Sequence, residues 1–246
     1  MTRFSAMLDA CVLVPVTLAD TLLRLAEASL YRPLWSARII TETVRAIEEV
    51  HPQLSTDDIQ NRADAMDTAF GDASVTGWEA LEHAISLPDP DDCHVVAAAI
   101  VGRADLIVTS NVKDYPPDVL APYHIEVQTP DVFLLNQLDL APLAVMSALS
   151  RQARSSHKPQ LTLDTLLDRL ATCGTPDFAR AAKTQKWRLA AEHQSSHILS
   201  SRHRDGLWQP SPNSPAIRRP AGILGRQSGR KPLSSLTPRT PMAGSI

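Results

Sequence analysis

Short apolar runs that are too brief for helices alternate along this chain with stretches of helical period, and the first of them contains an acid. Residues 6–14 read AMLDACVLV and residues 106–109 read LIVT; both are apolar and partly β-branched, as buried strands are, and Pro15 closes the first. Between them, residues 17–30 carry Leu18, Leu22, Leu25 and Ala26 at helical spacing. Ser36 can cap a helix whose apolar face is Ile39, Ile40, Val44 and Ile47 and which Pro52 ends. Residues 55–70 and 76–83 read as further helices punctuated by Gly71 and Gly77, and 84–87 as a short strand. A helix over 91–101, the strand 106–109, a helical turn after Pro117 and a strand over 125–127 follow. Parallel strands need crossovers of a dozen or more residues, usually helical, so the pattern predicts an α/β fold: a three-layer α/β/α sandwich around a short, mainly parallel sheet. Ligands of such sheets sit outside the carboxyl ends of the strands.

From residue 129 to about 191 the chain reads as helices only, with Thr162 placed to cap one of them. The expected organisation is a body over 1–138, a helical extension over 139–191 and a tail over 192–246 that is dense in Pro, Ser, Gly and Arg. Such a tail cannot bury enough surface to order itself. Charge divides the same way. Residues 1–186 hold 15 Lys and Arg against 25 Asp and Glu, whereas residues 187–246 hold 9 against 2. Flexible basic chain adds nonspecific attraction to polyphosphate or is simply solvated. No run of 18 apolar residues could span a bilayer, and the apolar run near the N-terminus is broken by Asp9, unlike the core of a signal peptide. A cytoplasmic protein is expected, with no membrane partner. Cys11, Cys93 and Cys173 are far apart and odd in number, which favours buried thiols over a disulfide framework or a zinc site.

Against this scaffold certain polar residues stand out. Asp9 lies inside an apolar strand pattern, where a charge is costly unless hydrogen-bonded, capping or metal-bound. Glu42 sits at the margin of a buried helix face and could instead pair with Arg38 or Arg45. Asp89, Asp91 and Asp92 precede the helix CHVVAAAIV; one or two acids suit a helix N-terminus, but three exceed that need. Asp89 and Asp91 suit capping, while Asp92, one turn before Val95 and Val96, can project toward the end of the sheet. Thr109, Asn111 and Asp114 follow LIVT, in the loop at the strand's carboxyl end, where Asn and Asp also serve as turn formers.

In order and context, LDACVL around Asp9, a helix carrying Glu42, DPDDCHVVAAA around Asp92 and VTSNVKDY ending at Asp114 resemble a PIN-domain ribonuclease of the VapC toxin type. The likeness covers about residues 5–138, and the helices from about 141 to 182 resemble the C-terminal extension of a VapC-like subgroup. The resemblance implies that Asp9, Glu42, Asp92 and Asp114 form a metal-binding catalytic pocket, with Thr109 and Asn111 as supporting polar residues. Asp92 is chosen over Asp91 from its distance to the alanine run. Tyr115 departs from the family's commoner Phe.

The implied activity is metal-dependent hydrolysis of RNA phosphodiesters, leaving a 5'-phosphate and a 3'-hydroxyl. All-oxygen ligands and His-poor surroundings favour Mg²⁺, or Mn²⁺, over zinc. The implied partners are an RNA substrate, a cognate antitoxin protein and a second copy of the chain, with the helices over 17–30 and 36–50 as candidate interfaces. Candidate phosphate contacts are Arg38, Arg45, Lys113, Arg151, Arg154 and Lys158. Rival enzymatic readings fare worse: a haloacid-dehalogenase-type phosphatase wants an Asp where Cys11 stands, and neither Cys11 nor Ser110 has a histidine nearby in sequence to make it a nucleophile. The alternative of a different kind is a noncatalytic PIN-like module that binds RNA or protein.

Overall fold

The central strand β1 (Ser5–Leu8) is buried at every position, as a parallel strand covered on both faces must be. It lies in a five-stranded parallel sheet of order β3-β2-β1-β4-β5 in a computed structural model that describes residues 4–155 and 161–189. Lys158 and the predicted basic tail fall outside the described residues. Met7 of β1 stands opposite Leu34 of β2 (Arg32–Ser36) on one side and Ile107 of β4 (Leu106–Val108) on the other. From β1 the chain passes through α1 (Ala10–Leu13) and α2 (Val16–Glu27) to β2. It continues through α3 (Ala37–Val50) and α4 (Thr56–Ala69) to β3 (Ser74–Val75). It then crosses β2 and β1 by way of α5 (Glu79–Glu82), a 3₁₀ turn (Pro90–Asp92) and α6 (Cys93–Gly102) to reach β4. A 3₁₀ turn (Val112–Asp114) and α7 (Pro117–Leu120) lead to the edge strand β5 (Glu126–Gln128).

This path defines where a site can form. After β1 the chain turns toward β2, and after β4 it turns the opposite way, toward β5, so the carboxyl ends of β1 and β4 flank a topological switch point. Right-handed crossovers place the helices between β1 and β3 on one face and α6 on the other, giving three layers. The α6 run is so apolar because it lies under the sheet: Cys93 to Ala99 are all buried. At its end, a Cβ on Gly102 would come within 2.8 Å of Val75 Cγ2 and 3.2 Å of Leu34 Cδ1, so the missing side chain permits the close approach of α6 to β2 and β3.

Beyond the sheet come α8 (Pro130–Leu140), α9 (Pro142–Ser155), α10 (Leu163–Thr172) and α11 (Pro176–Thr184). Thr129 and Thr162 cap α8 and α10 through their hydroxyls. These helices join the same hydrophobic core. Phe133 of α8 meets Tyr31 edge-to-face with ring centroids 5.0 Å apart, and the buried Gln152 of α9 accepts from Thr21 Oγ1 at 2.7 Å and donates to the Thr17 carbonyl at 3.0 Å. No single helix among the described residues is long and apolar enough to cross a membrane.

The fold corrects several local expectations. The run 6–14 is a strand only as far as Leu8; residues 10–13 turn into α1, whose last carbonyl, that of Leu13, accepts from Arg62 of α4 at 2.9 Å. The expected helix over 76–83 shrinks to Glu79–Glu82 behind Gly77, which has φ +78°. Residues 84–87 form no strand: Ile85 and Leu87 are buried and Ser86 exposed, which mimics strand alternation without a ladder partner. Strand β2 was not anticipated, because Pro33 argues against an interior strand. It is tolerated because the β3 ladder begins only at Trp35, beyond the site of its missing N–H.

Candidate active site

Asp9 follows directly on β1, and its backbone N–H still reaches Val108 of β4 at 3.2 Å. It occupies the N-cap position of α1 but its side chain makes no capping bond; the carboxylate turns instead toward the end of β4. There Thr109, fully buried, donates from Oγ1 to Asp9 Oδ2 at 2.6 Å, and Cys11 Sγ donates to the same oxygen at 3.1 Å. Among the described residues no donor reaches Asp9 Oδ1. Thr109 in turn accepts from the Asn111 backbone N–H at 3.0 Å, so the contact of Asn111 is made by its main chain while its side chain is exposed.

Asp92 ends the 3₁₀ turn at the head of α6. Asp89 is the cap of that turn, accepting from the Asp91 N–H at 3.0 Å, and Asp91 is exposed. Asp92 makes no capping bond and is half-buried. Burial pushes its carboxyl up to about 6, and the charges of Asp9, Asp89 and Asp114 push in the same direction. Asp114, half-buried at the end of the turn Val112–Asp114, is held through its backbone N–H on Asn111 O at 2.9 Å. Asp92 therefore senses Asp9 and Asp114, two other acids singled out in the sequence, across the switch point.

Glu42 is arranged differently. Its Oε1 receives Arg38 Nε at 3.0 Å and its Oε2 lies 3.1 Å from Nε2 of the buried His94. Arg38 also donates to Glu82 at 2.7 Å, and the His94 ring lies 5.8 Å from that of Trp78. Burial alone would raise the Glu42 carboxyl, but the hydrogen bonds and charges of His94 and Arg38 outweigh it and hold the group below its ordinary value. The helix-surface pair weighed for Glu42 thus forms, with Arg38. The site is also not poor in histidine, since His94 touches one of its acids. His94 could have been noticed as the polar residue inside the apolar run CHVVAAAIV, two positions after Asp92.

Arg38 and Arg45, read as candidate phosphate contacts, are engaged in ion pairs, Arg45 with Glu49 at 3.2 Å. Lys113, Arg151 and Arg154 are exposed. Burial, and then the Asp9 charge, push the Cys11 thiol up to about 11, which disfavours the thiolate a nucleophile needs. A separate concavity lined by Phe4, Leu30, Leu106, His124 and Leu140 lies at the β4–β5 side and contains none of the acids discussed.

Whether this donor set suits a cation can be judged from its chemistry. The aspartate oxygens are hard ligands, and their mutual repulsion is of the kind a divalent ion relieves. Among the described residues, however, no three His, Cys, Asp or Glu side chains converge as a ready-made cage.

Residues 5–113 match the family model described as PIN domain, and residues 130–184 match that of the VapC50 C-terminal domain. A Mycobacterium tuberculosis protein named "Putative ribonuclease VapC50" is 42% identical over 92 residues, which are 37% of this chain and 54% of that protein. The chain therefore spans about half the length of the curated relative it matches. No solved structure matches it. The two matches fall on successive parts of the chain: residues 5–113 are similar to PIN domains, and residues 130–184, within α8–α11, to the VapC50 C-terminal domain.

Proposed function

We propose that the chain is a divalent-cation-dependent endoribonuclease and the toxin of a toxin–antitoxin pair, with Asp9, Glu42, Asp92 and Asp114 as its acidic centre and Mg²⁺, or Mn²⁺, as its cation. The observation that carries this reading is the raised proton affinity of Asp92 beside Asp9, Asp89 and Asp114, a concentration of negative charge at a switch point. A hard divalent cation bound there would supply neutralisation of phosphate charge and acidification of water. Thr109 and Cys11 fix Asp9 by occupying one of its oxygens, which leaves Oδ1 as the ligand atom. Asp92 and Asp114 complete the aspartate set, and Glu42, held by Arg38 and His94, acts from its margin. Exposed Lys113, Arg151 and Arg154 are the available phosphate contacts on an otherwise acidic body. An antitoxin that covers the acids, and a second copy of the chain, are the partners this reading expects.

The engagement of Glu42 by Arg38 and His94, together with the lack of a ready-made cage among the described residues, favours a second reading: a noncatalytic module that binds RNA or protein. One experiment separates them. Purified full chain is incubated with total RNA in Mg²⁺, Mn²⁺ or EDTA beside Asp9→Asn and Asp92→Asn, and cleavage ends are mapped. The nuclease reading expects cleavage in either metal, none in EDTA, and at least about a 100-fold loss in each variant, beyond the usual cost of removing only an outer hydrogen bond. Equal cleavage by the variants would remove the site assignment; RNA retention without cleavage under every condition would establish the second reading.

A further inference from the structure

Two glutamines in the helices beyond the sheet are buried to the same degree, each 4% exposed. Gln152 of α9 is satisfied at both ends of its amide, by the Thr21 hydroxyl and the Thr17 carbonyl. Gln137 of α8 stands among Phe133, Leu134 and Leu138 on the buried face of its helix, and among the described residues its amide meets no hydrogen-bonding partner. An amide withdrawn from water without a partner is costly and calls for a reason. The fully enclosed polar atoms that lack a partner are elsewhere, on Tyr115 and His94, so the Gln137 amide keeps contact with open space. The space it lines is the cavity of about 730 Å³ at the β4–β5 side. Phe4 and Asp105, which also line it, stand at the amino ends of β1 and β4, whereas Asp9 and Thr109 leave from the carboxyl ends of the same strands.

The lining decides what fits. Phe4, Leu30 and Leu106 supply an apolar wall, and Asp105, Glu126 and Asp139 supply carboxylates, none of which is in an ion pair among the described residues. No described lysine or arginine lines the cavity, and His124 is the sole base there. An anion would be repelled. A bare metal ion is no better served, since among the described residues no three acids, cysteines or histidines come together to hold one. What remains is a cation with an apolar body and with N–H donors for an amide oxygen. The volume is that of a small-molecule site.

We propose that this cavity binds a small organic ammonium ion, its aliphatic or aromatic body against Phe4, Leu30 and Leu106, its N–H groups on the Gln137 amide oxygen and its charge among Asp105, Glu126 and Asp139. The inference is independent of the nuclease reading, because no residue of the acidic centre takes part. The test uses the full chain in EDTA at near-neutral pH and phenethylamine as probe, with 2-phenylethanol and phenylacetate as its neutral and anionic counterparts, and follows binding by protein-observed NMR titration. The expected dissociation constant for phenethylamine is near or below about 1 mM, with binding at least about 10-fold weaker for both counterparts. Gln137→Leu keeps the volume and removes the amide, and should weaken phenethylamine binding about 5-fold. The double variant Glu126→Gln, Asp139→Asn should weaken it about 3-fold, as suits exposed charges. The melting temperature of ligand-free Gln137→Leu should be no lower than that of wild type, because the amide has no protein partner to lose. Equal affinity for phenethylamine and 2-phenylethanol would reduce the cavity to an apolar surface and overturn the proposal. So would undiminished binding in Gln137→Leu, or no phenethylamine binding at about 10 mM. A lower melting temperature in Gln137→Leu would show the amide held by protein and overturn it as well.

Discussion

Asp92 and Glu42 are both half-buried carboxylates flanking α6, and their proton affinities move in opposite directions. Burial pushes both upward; what differs is the company. Asp92 faces Asp9, Asp89 and Asp114, whereas Glu42 is met by Arg38 and His94. One corner of the molecule therefore holds uncompensated negative charge and the adjacent corner holds charge already balanced by protein. Acidity alone does not mark a cation site. The distinguishing property is the absence of a protein cation among the groups that shift the acid.

If this contrast is right, proton and metal compete at Asp92 but not at Glu42. With Asp92 near 6, Mn²⁺ binding should be about 10-fold weaker at pH 5 than at pH 7, as one proton must leave for each ion bound. Titration calorimetry at the two values checks this, and Glu42→Gln should keep the slope. A pH-independent affinity would break the comparison.

A smaller effect concerns the metal-free protein. Because the folded-state value of Asp92 is raised, its contribution to stability is present below the ordinary carboxylate value of 3.8 and is lost as pH rises through about 6. Thermal or urea unfolding in EDTA should show about 1 kcal/mol lost across that window, after discounting for solvent screening. Asp92→Asn should abolish that part of the slope, and Glu42→Gln should not. The smallest effect is expected at Arg45, whose pair with Glu49 is exposed on both sides: Arg45→Ala should change stability by less than about 0.5 kcal/mol and leave Mn²⁺ affinity unaltered. A larger change would show that balanced surface charge matters here more than its solvent exposure suggests.

Much of the scaffold was legible because its elements follow local rules. Ser36 caps α3 through its hydroxyl, Thr162 caps α10, and the apolar run LIVT forms β4 within one residue of expectation. The losses occurred where tertiary packing overrides local pattern. Pro33 hid β2, since only the late start of β3 makes a proline acceptable there. The buried alternation of Ile85 and Leu87 suggested a strand, but alternation measures burial and not ladder pairing. At the site, the chain's order placed Asp9, Asp92, Thr109 and Asp114 at element ends, where topology could bring them together. The partners of Glu42 were less accessible. Arg38 was visible as an i,i+4 neighbour, but Glu82, the second partner of Arg38, lies 44 residues beyond Arg38 and His94 lies 52 residues beyond Glu42, separations that only the folded arrangement of α3, α5 and α6 closes.

The strand order bears also on when the acids of the crevice come together during synthesis. A chain that ends after β3 holds three of the five strands, but Asp9 then lacks the hydroxyl of Thr109, and Asp92 and Asp114 are absent. Truncation before residue 106 would remove β4 and with it one wall of the crevice. A nascent or prematurely ended product therefore carries the opening acids without the closing ones, and the order of translation itself delays assembly of the pocket until most of the body exists.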